Sequence, residues 1–160
     1  FKIGNENIDP VLSKEFTTVP FSGNATVESN LVFAGFGISA PDLEYDDYKG
    51  IDVNGKIVIV MRNTPEPDVP HSEFDAYSPL RKKASVARDK GAIGIIFVNP
   101  YDENKVEDDL IDFEYDRGGA ITDFPVVNIK RNLIENFINC RRVFIFCCVL
   151  DDECRFQRPQ

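Results

Sequence analysis

Histidine, the side chain with the widest catalytic range near neutral pH, occurs once in this sequence, as His71. A hydrolytic zinc centre draws on several histidines supplemented by carboxylates, and a Ser-His-Asp triad needs an imidazole to take the serine proton. Either would have to use His71. That residue follows Pro65, Pro67 and Pro70, so it reads as an imidazole on a proline-rich surface connection. No serine sits in a G-x-S-x-G elbow and no Walker phosphate loop occurs. Gly35-Phe36-Gly37 lacks the third glycine of a dinucleotide fingerprint and reads as a turn. The residues therefore assign no catalytic role and no metal ligand to any position.

Carboxylates are plentiful. One acidic stretch is Asp42-Leu43-Glu44-Tyr45-Asp46-Asp47, and a second spreads Asp102, Glu103, Glu107, Asp108, Asp109, Asp112, Glu114 and Asp116 over Asn99 to Thr122. Paired carboxylates can run glycoside hydrolysis or hold calcium, but neither stretch has the EF-hand spacing or its glycine at position six. A solvated face is the plain reading of such runs, with calcium and carboxylate chemistry left as alternatives. Asn24-Ala25-Thr26 is a glycosylation sequon, which matters only in a eukaryotic secretory lumen.

The elements that must position these residues alternate. Lys56 to Met61 is apolar and β-branched after the turn signal Asn54-Gly55, as suits a strand buried on both faces. Ser78 is the expected N-cap and Pro79 the first residue of a helix with Leu80, Ala84 and Ala87 inward. Arg81, Lys82, Lys83, Arg88 and Lys90 are expected on the other faces, and Gly91 as the stop. Ala92 to Val98 is a second buried strand, so residues 56–98 predict strand, loop, helix and strand, a right-handed parallel crossover with Ile57, Ile59, Ile95 and Phe97 buried. Leu31 to Ala34 and Phe124 to Ile129 are further strand candidates. Arg131 to Asn139 predicts a short helix with Leu133, Ile134, Phe137 and Ile138 on its apolar face. Arg62 to Tyr77 and Asn99 to Thr122 are left as long surface loops, the segments where function often lies.

Composition narrows the partners. Hydrophobic residues make up 42% and charged residues 28% of the 160, which excludes wholesale disorder. The net charge of -9 opposes binding to nucleic acid and to anionic membranes. The longest strongly apolar run, Val143 to Leu150, falls far short of the roughly 20 residues a spanning helix needs, so no membrane span is expected. The chain opens on Phe1 and is expected to be a piece of something longer. Its four cysteines, Cys140, Cys147, Cys148 and Cys154, all lie in residues 140–160, which contain no Gly and no Lys. That tail reads as foreign to the body and dispensable, either a non-native terminus or a local disulfide cluster, with an added strand at Val143–Leu150 as a further alternative.

The residues from Val32 to Pro41, Tyr45-Asp46-Asp47-Tyr48 and Gly50 to Val60 together resemble the protease-associated (PA) domain of secreted di-zinc aminopeptidases, in the transferrin-receptor and glutamate-carboxypeptidase-like group. Pro70 to Phe74, Leu80 to Ala84, Gly91 to Val98 and Phe124 to Ile129 continue the resemblance in order, while residues 140–160 depart from it. The resemblance implies an α+β architecture, the swivelling β/β/α fold with a mixed sheet and two or so helices. It divides the chain into a lead-in over 1–15, a PA domain over 16–139 and the atypical tail over 140–160. It also implies a non-catalytic module beside a peptidase active site, a lid or wall that shapes substrate access. Zinc is then expected in a peptidase domain outside this chain and no cofactor within it. The implied partners are that domain and the peptide substrate at its cleft, in a secreted, periplasmic or cell-surface setting. The alternative is a free-standing peptide- or protein-binding PA domain of a receptor or sorting protein. In either case Arg62, His71, Phe74 and Tyr77, on the loop leaving the central strand, are the candidate residues to face substrate or partner.

Overall fold

The computed structural model describes residues 10–100, 108–112, 119–121 and 123–138, together with two short strands before them. In chain order the strands are β1 (Lys2–Ile3), β2 (Glu6–Asn7), β3 (Phe16–Thr18), β4 (Leu31–Phe33), β5 (Ser39–Ala40), β6 (Tyr45–Asp46), β7 (Ile57–Met61), β8 (Gly94–Val98) and β9 (Val126–Ile129). Two α-helices, α1 (Leu80–Asp89) and α2 (Arg131–Ile138), and two 3-10 turns, Pro41–Leu43 and Glu73–Tyr77, complete the described elements. The calls on Phe137, Ile138 and the cysteine tail, and most of those on the acidic stretch after Asn99, lie outside the described side chains.

Five strands form one mixed sheet in the order β3-β9-β8-β7-β4. Strands β4, β7, β8 and β9 run parallel, and β3 closes the edge antiparallel to β9 through Phe16 opposite Ile129. The expected crossover is present: β7 and β8 pair in parallel from Ile57–Gly94 to Met61–Val98, with α1 between them in sequence. All five residues of β8 are buried, as its unbroken apolar run demands when both faces of a parallel strand are covered.

Strand alternation sorts the core into two clusters. Val58, Val60, Ile95, Phe97 and Val126 join Ala84 and Ala87 of α1; the small alanines let the helix lie close to the sheet. Ile59, Ile96, Val98 and Ile129 meet Leu133 and Ile134 of α2. Ile57 is only half-buried, contrary to expectation. It sits at the start of β7 opposite Leu31 of β4, a three-residue edge strand that is itself only half-buried.

Two glycines are required by geometry. Gly91 ends α1 at φ +94, where a Cβ would come within 2.5 Å of the Asn54 Oδ1, and its carbonyl accepts the Gly55 N–H at 2.8 Å. Gly35 follows β4 at φ +46, and a Cβ there would meet the Asp47 carboxylate at 2.3 Å. The helix start differs from expectation. Pro79 occupies the N-cap position, and the Ser78 hydroxyl donates to the Asp75 carbonyl at 2.8 Å, closing the preceding 3-10 turn instead. Strands β7, β8 and β9 begin one or two residues later than their apolar runs. Gly94 packs against Pro125.

Candidate functional site at the carboxyl edge of the sheet

Four parallel strands present their carboxyl ends to one edge, the side on which open α/β sheets form their crevices. Three sets of side chains organise that edge.

The first surrounds Asp47. Its Oδ2 accepts the N–H groups of Phe36 and Ile38 at 3.0 Å each, and its Oδ1 accepts the Tyr45 hydroxyl at 2.8 Å. These bonds lock the turn after β4 onto the β5–β6 hairpin. Burial raises the Asp47 pKa above the ordinary carboxylate value, against the pull of those bonds and of the Lys83 charge. Burial likewise raises the Tyr45 phenol, and Asp47 adds to the effect. Lys83 was expected on an outer face of α1, but it is only 1% exposed. It lies one turn from Leu80 and Ala87, on the inward face, and its ammonium donates to the carbonyls of Met61 and Asn63, where β7 passes into its loop. Burial lowers the Lys83 pKa to about 8, with Asp47 opposing the fall.

The second set ties the acidic segment to the strand ends. Arg62 donates through Nη1 to Asn99 Oδ1 at 2.9 Å and to the Asp109 carbonyl at 3.2 Å. Asn99 donates to Asp108 Oδ1 and to the same Asp109 carbonyl, both at 2.8 Å. Asp108 accepts the Arg131 N–H at the start of α2. Asn128, fully buried in β9, donates to the Phe97 carbonyl at 3.0 Å and accepts the Ile111 N–H at 2.8 Å. Burial lowers the Arg62 pKa, while Asp108 and Asp109 counter it.

The third set braces residues 62–77, which are no loose connection. Ser72 donates to Glu66 Oε2 at 2.8 Å and its Oγ accepts the Phe74 N–H at 3.1 Å, capping the 3-10 turn. Phe74 meets Tyr45 edge-on, with centroids 5.1 Å apart. Tyr77 donates to Asp42 at 3.2 Å and lies under the Lys82 ammonium, 3.9 Å from its ring centroid.

The four candidate residues are thus not gathered into one site. Phe74 and Tyr77 anchor the loop to the β5–β6 side, His71 is exposed at φ +58, and Arg62 lines a groove. The groove is shallow and open, about 380 Å³, and is bounded by Pro20, Phe21, Arg62 and residues 109–112. Sequence reasoning missed Asp47, Lys83, Asn99 and Asn128 as organisers. The available signal was a polar residue inside an apolar strand for Asn128 and the inward helical position for Lys83. Among the described residues no three His, Cys, Asp or Glu side chains gather to hold a metal ion. No described helix is long and apolar enough to cross a membrane.

Comparison with known proteins agrees on the architecture. The family model of the PA domain matches residues 24–137. No curated protein matches the chain. Among solved structures, an aminopeptidase from Aneurinibacillus sp. strain AM-1 superposes over 79% of this chain with a TM-score of 0.51 and 23% identity. The match spans 24% of that aminopeptidase, so this chain corresponds to a fraction of it.

Proposed function

The chain belongs to the PA domain family, and from that premise we propose that it is a non-catalytic module of a zinc aminopeptidase, a lid or wall that shapes substrate access to a peptidase domain. The observation that carries the reading is the adjacency of the first and last strands of the main sheet. Strand β3 pairs with β9, and the Lys130 N–H donates to the Glu15 carbonyl at 2.9 Å. Chain entering β3 at Phe16 and chain leaving β9 at Ile129 are therefore neighbours, and ends that lie close together let a domain be carried as an insert on another. The likeness to part of an aminopeptidase supports the choice of host.

On this reading the ordered carboxyl edge works by shape. The 62–77 loop is braced at both ends, so it presents a fixed wall to an incoming peptide at little ordering cost. The zinc chemistry belongs to the peptidase domain, and the setting is secreted, periplasmic or cell-surface. The test is made in the longer protein by removing residues 16–138. Loss of selectivity among long peptides, with turnover of single aminoacyl chromogenic substrates retained, supports a wall. An unchanged selectivity profile refutes it. A reading frame that runs into a membrane span instead of a peptidase domain would favour the receptor or sorting role.

A further inference from the structure

We propose that Asn24 is an acceptor for an N-linked oligosaccharide, carried on the amino edge of the sheet, opposite the edge that holds the candidate site. The inference rests on the accessory-module reading only for the secreted setting in which such a sugar is attached. Asn24-Ala25-Thr26 has the acceptor pattern, with alanine rather than proline in the middle, and it is the one such triplet in the sequence. All three residues are exposed. None of their side-chain or backbone polar groups makes a hydrogen bond among the described residues. The asparagine amide and the threonine hydroxyl are both open to a transferase that must read the two together.

The fold sets the triplet out as an unbonded span between anchored ends. Residues 22–30 have no regular secondary structure and cross the amino ends of three parallel strands. At the start of β9, Ser22 Oγ accepts the Val126 N–H at 2.9 Å and the Gly23 N–H donates to the Phe124 carbonyl at 2.9 Å. Val27 lies beside Gly94, the first residue of β8, where an added Cβ would stand 3.6 Å from Val27 Cγ2. At the start of β7, Ser29 donates to the Gly55 carbonyl at 2.6 Å and the Asn30 carbonyl accepts the Ile57 N–H at 3.0 Å. A helix or a paired strand would have to unfold to enter a transferase, whereas this span has no bonds to break. At about 3.3 Å per residue, the length of β7 puts about 15 Å between this edge and the start of the 62–77 loop.

The donor is an oligosaccharide linked through pyrophosphate to a lipid. The Asn24 amide nitrogen forms a bond to the anomeric carbon of the first sugar as the bond from that carbon to the pyrophosphate oxygen breaks. The amide gives one proton to a base of the transferase, and the lipid pyrophosphate leaves with the electron pair. The product is a bulky, hydrophilic surface group. Standing off the amino edge, it leaves the braced 62–77 loop and the rest of the carboxyl edge uncovered. Neither Asn24 nor Thr26 holds another residue by a side-chain bond, so replacing them leaves the fold intact.

The experiment directs the whole chain into the secretory lumen of cultured mammalian cells behind a cleavable leader. The mass of chain from the medium and from the lumenal fraction is read before and after treatment with a peptide-N-glycosidase. The unaltered chain is expected to carry a sugar that the enzyme removes, leaving Asp in place of Asn24. Asn24→Gln and Thr26→Ala are expected to abolish the sugar completely and Thr26→Ser to retain it. After sugar removal all four chains are expected to melt together. A lumenal chain without sugar at Asn24, a sugar that persists in Asn24→Gln, or one that survives Thr26→Ala would overturn the proposal. Any of these leaves the accessory-module reading to its own test, since a wall needs no glycan.

Discussion

Asp47 and Asp109 are both carboxylates at the carboxyl edge of the sheet, yet Asp47 accepts three hydrogen bonds and the Asp109 side chain accepts none among the described residues. Asp47 faces a buried ammonium, two backbone donors and a phenol. Asp109 lines an open groove, where its charge acts on the neighbouring Arg62 guanidinium. A partly buried charge whose bonding capacity is filled has become part of the scaffold, whereas an exposed one without hydrogen bonds adds to it only through its field on Arg62. The family-like stretch from Gly35 to Tyr48 belongs to the first class. The structure gives its residues the task of fastening a turn, a hairpin and a loop together.

Substitutions break or sharpen that contrast. Asp47→Ala should have the largest effect, a loss of about 3 kcal/mol in urea unfolding, because it orphans donors and leaves the Lys83 ammonium buried without its counter-charge. Gly35→Ala should cost about 2 kcal/mol by the same measurement, since the new Cβ meets the Asp47 carboxylate at a positive φ. Lys83→Met exchanges a buried cation for an apolar side chain of similar length, at a cost of about 1 kcal/mol near neutral pH from the two abandoned carbonyls.

That variant has a sharper signature in pH. The native Lys83 pKa of about 8 lies below its ordinary value of 10.5, so between them the unfolded chain binds more protons and stability rises with pH. Tyr45 and Tyr48 act in the opposite sense above their ordinary value of 10.0, because burial raises both and the native state retains their protons. Stability of the unaltered chain should therefore climb from about pH 8 to about pH 10 and then fall. In Lys83→Met the climb should vanish and the fall persist; a climb that survives would remove Lys83 from the account.

Ser72→Ala should cost about 1 kcal/mol through the lost cap of the 3-10 turn. The smallest effect belongs to the groove. Asp109→Asn with Asp112→Asn should leave stability within about 0.5 kcal/mol, as for surface side chains without partners. A large loss there would erase the distinction between the two carboxylates.

The sequence carried the long elements well and the short ones poorly. Apolar runs located β7, β8 and β9, and the glycine stop located the end of α1. Strands β3, β5 and β6 are two or three residues long, too short for an alternation to register, and they exist because the sheet edge and the Asp47 centre hold them. Ser78 carried the right residue type for an N-cap, but Asp75 lay within reach of its hydroxyl and Pro79 took the cap position. Lys83 was assigned outward from its charge, although its helical position pointed inward. At the candidate site, the position of Arg62 at the end of the central strand was legible from the sequence. The groove was not, because Pro20–Phe21 and residues 109–112 meet only through long-range bonds such as that from Ile111 to Asn128.

We propose that this chain organises access and performs no hydrolysis itself. The direct measurement is turnover of aminoacyl chromogenic substrates by the isolated chain, with metal analysis after dialysis, carried out on residues 1–139 so that the tail thiols do not contribute zinc of their own. The account predicts turnover at the level of the blank and zinc well below one per chain. Tight one-to-one zinc together with turnover that a chelator abolishes would contradict it.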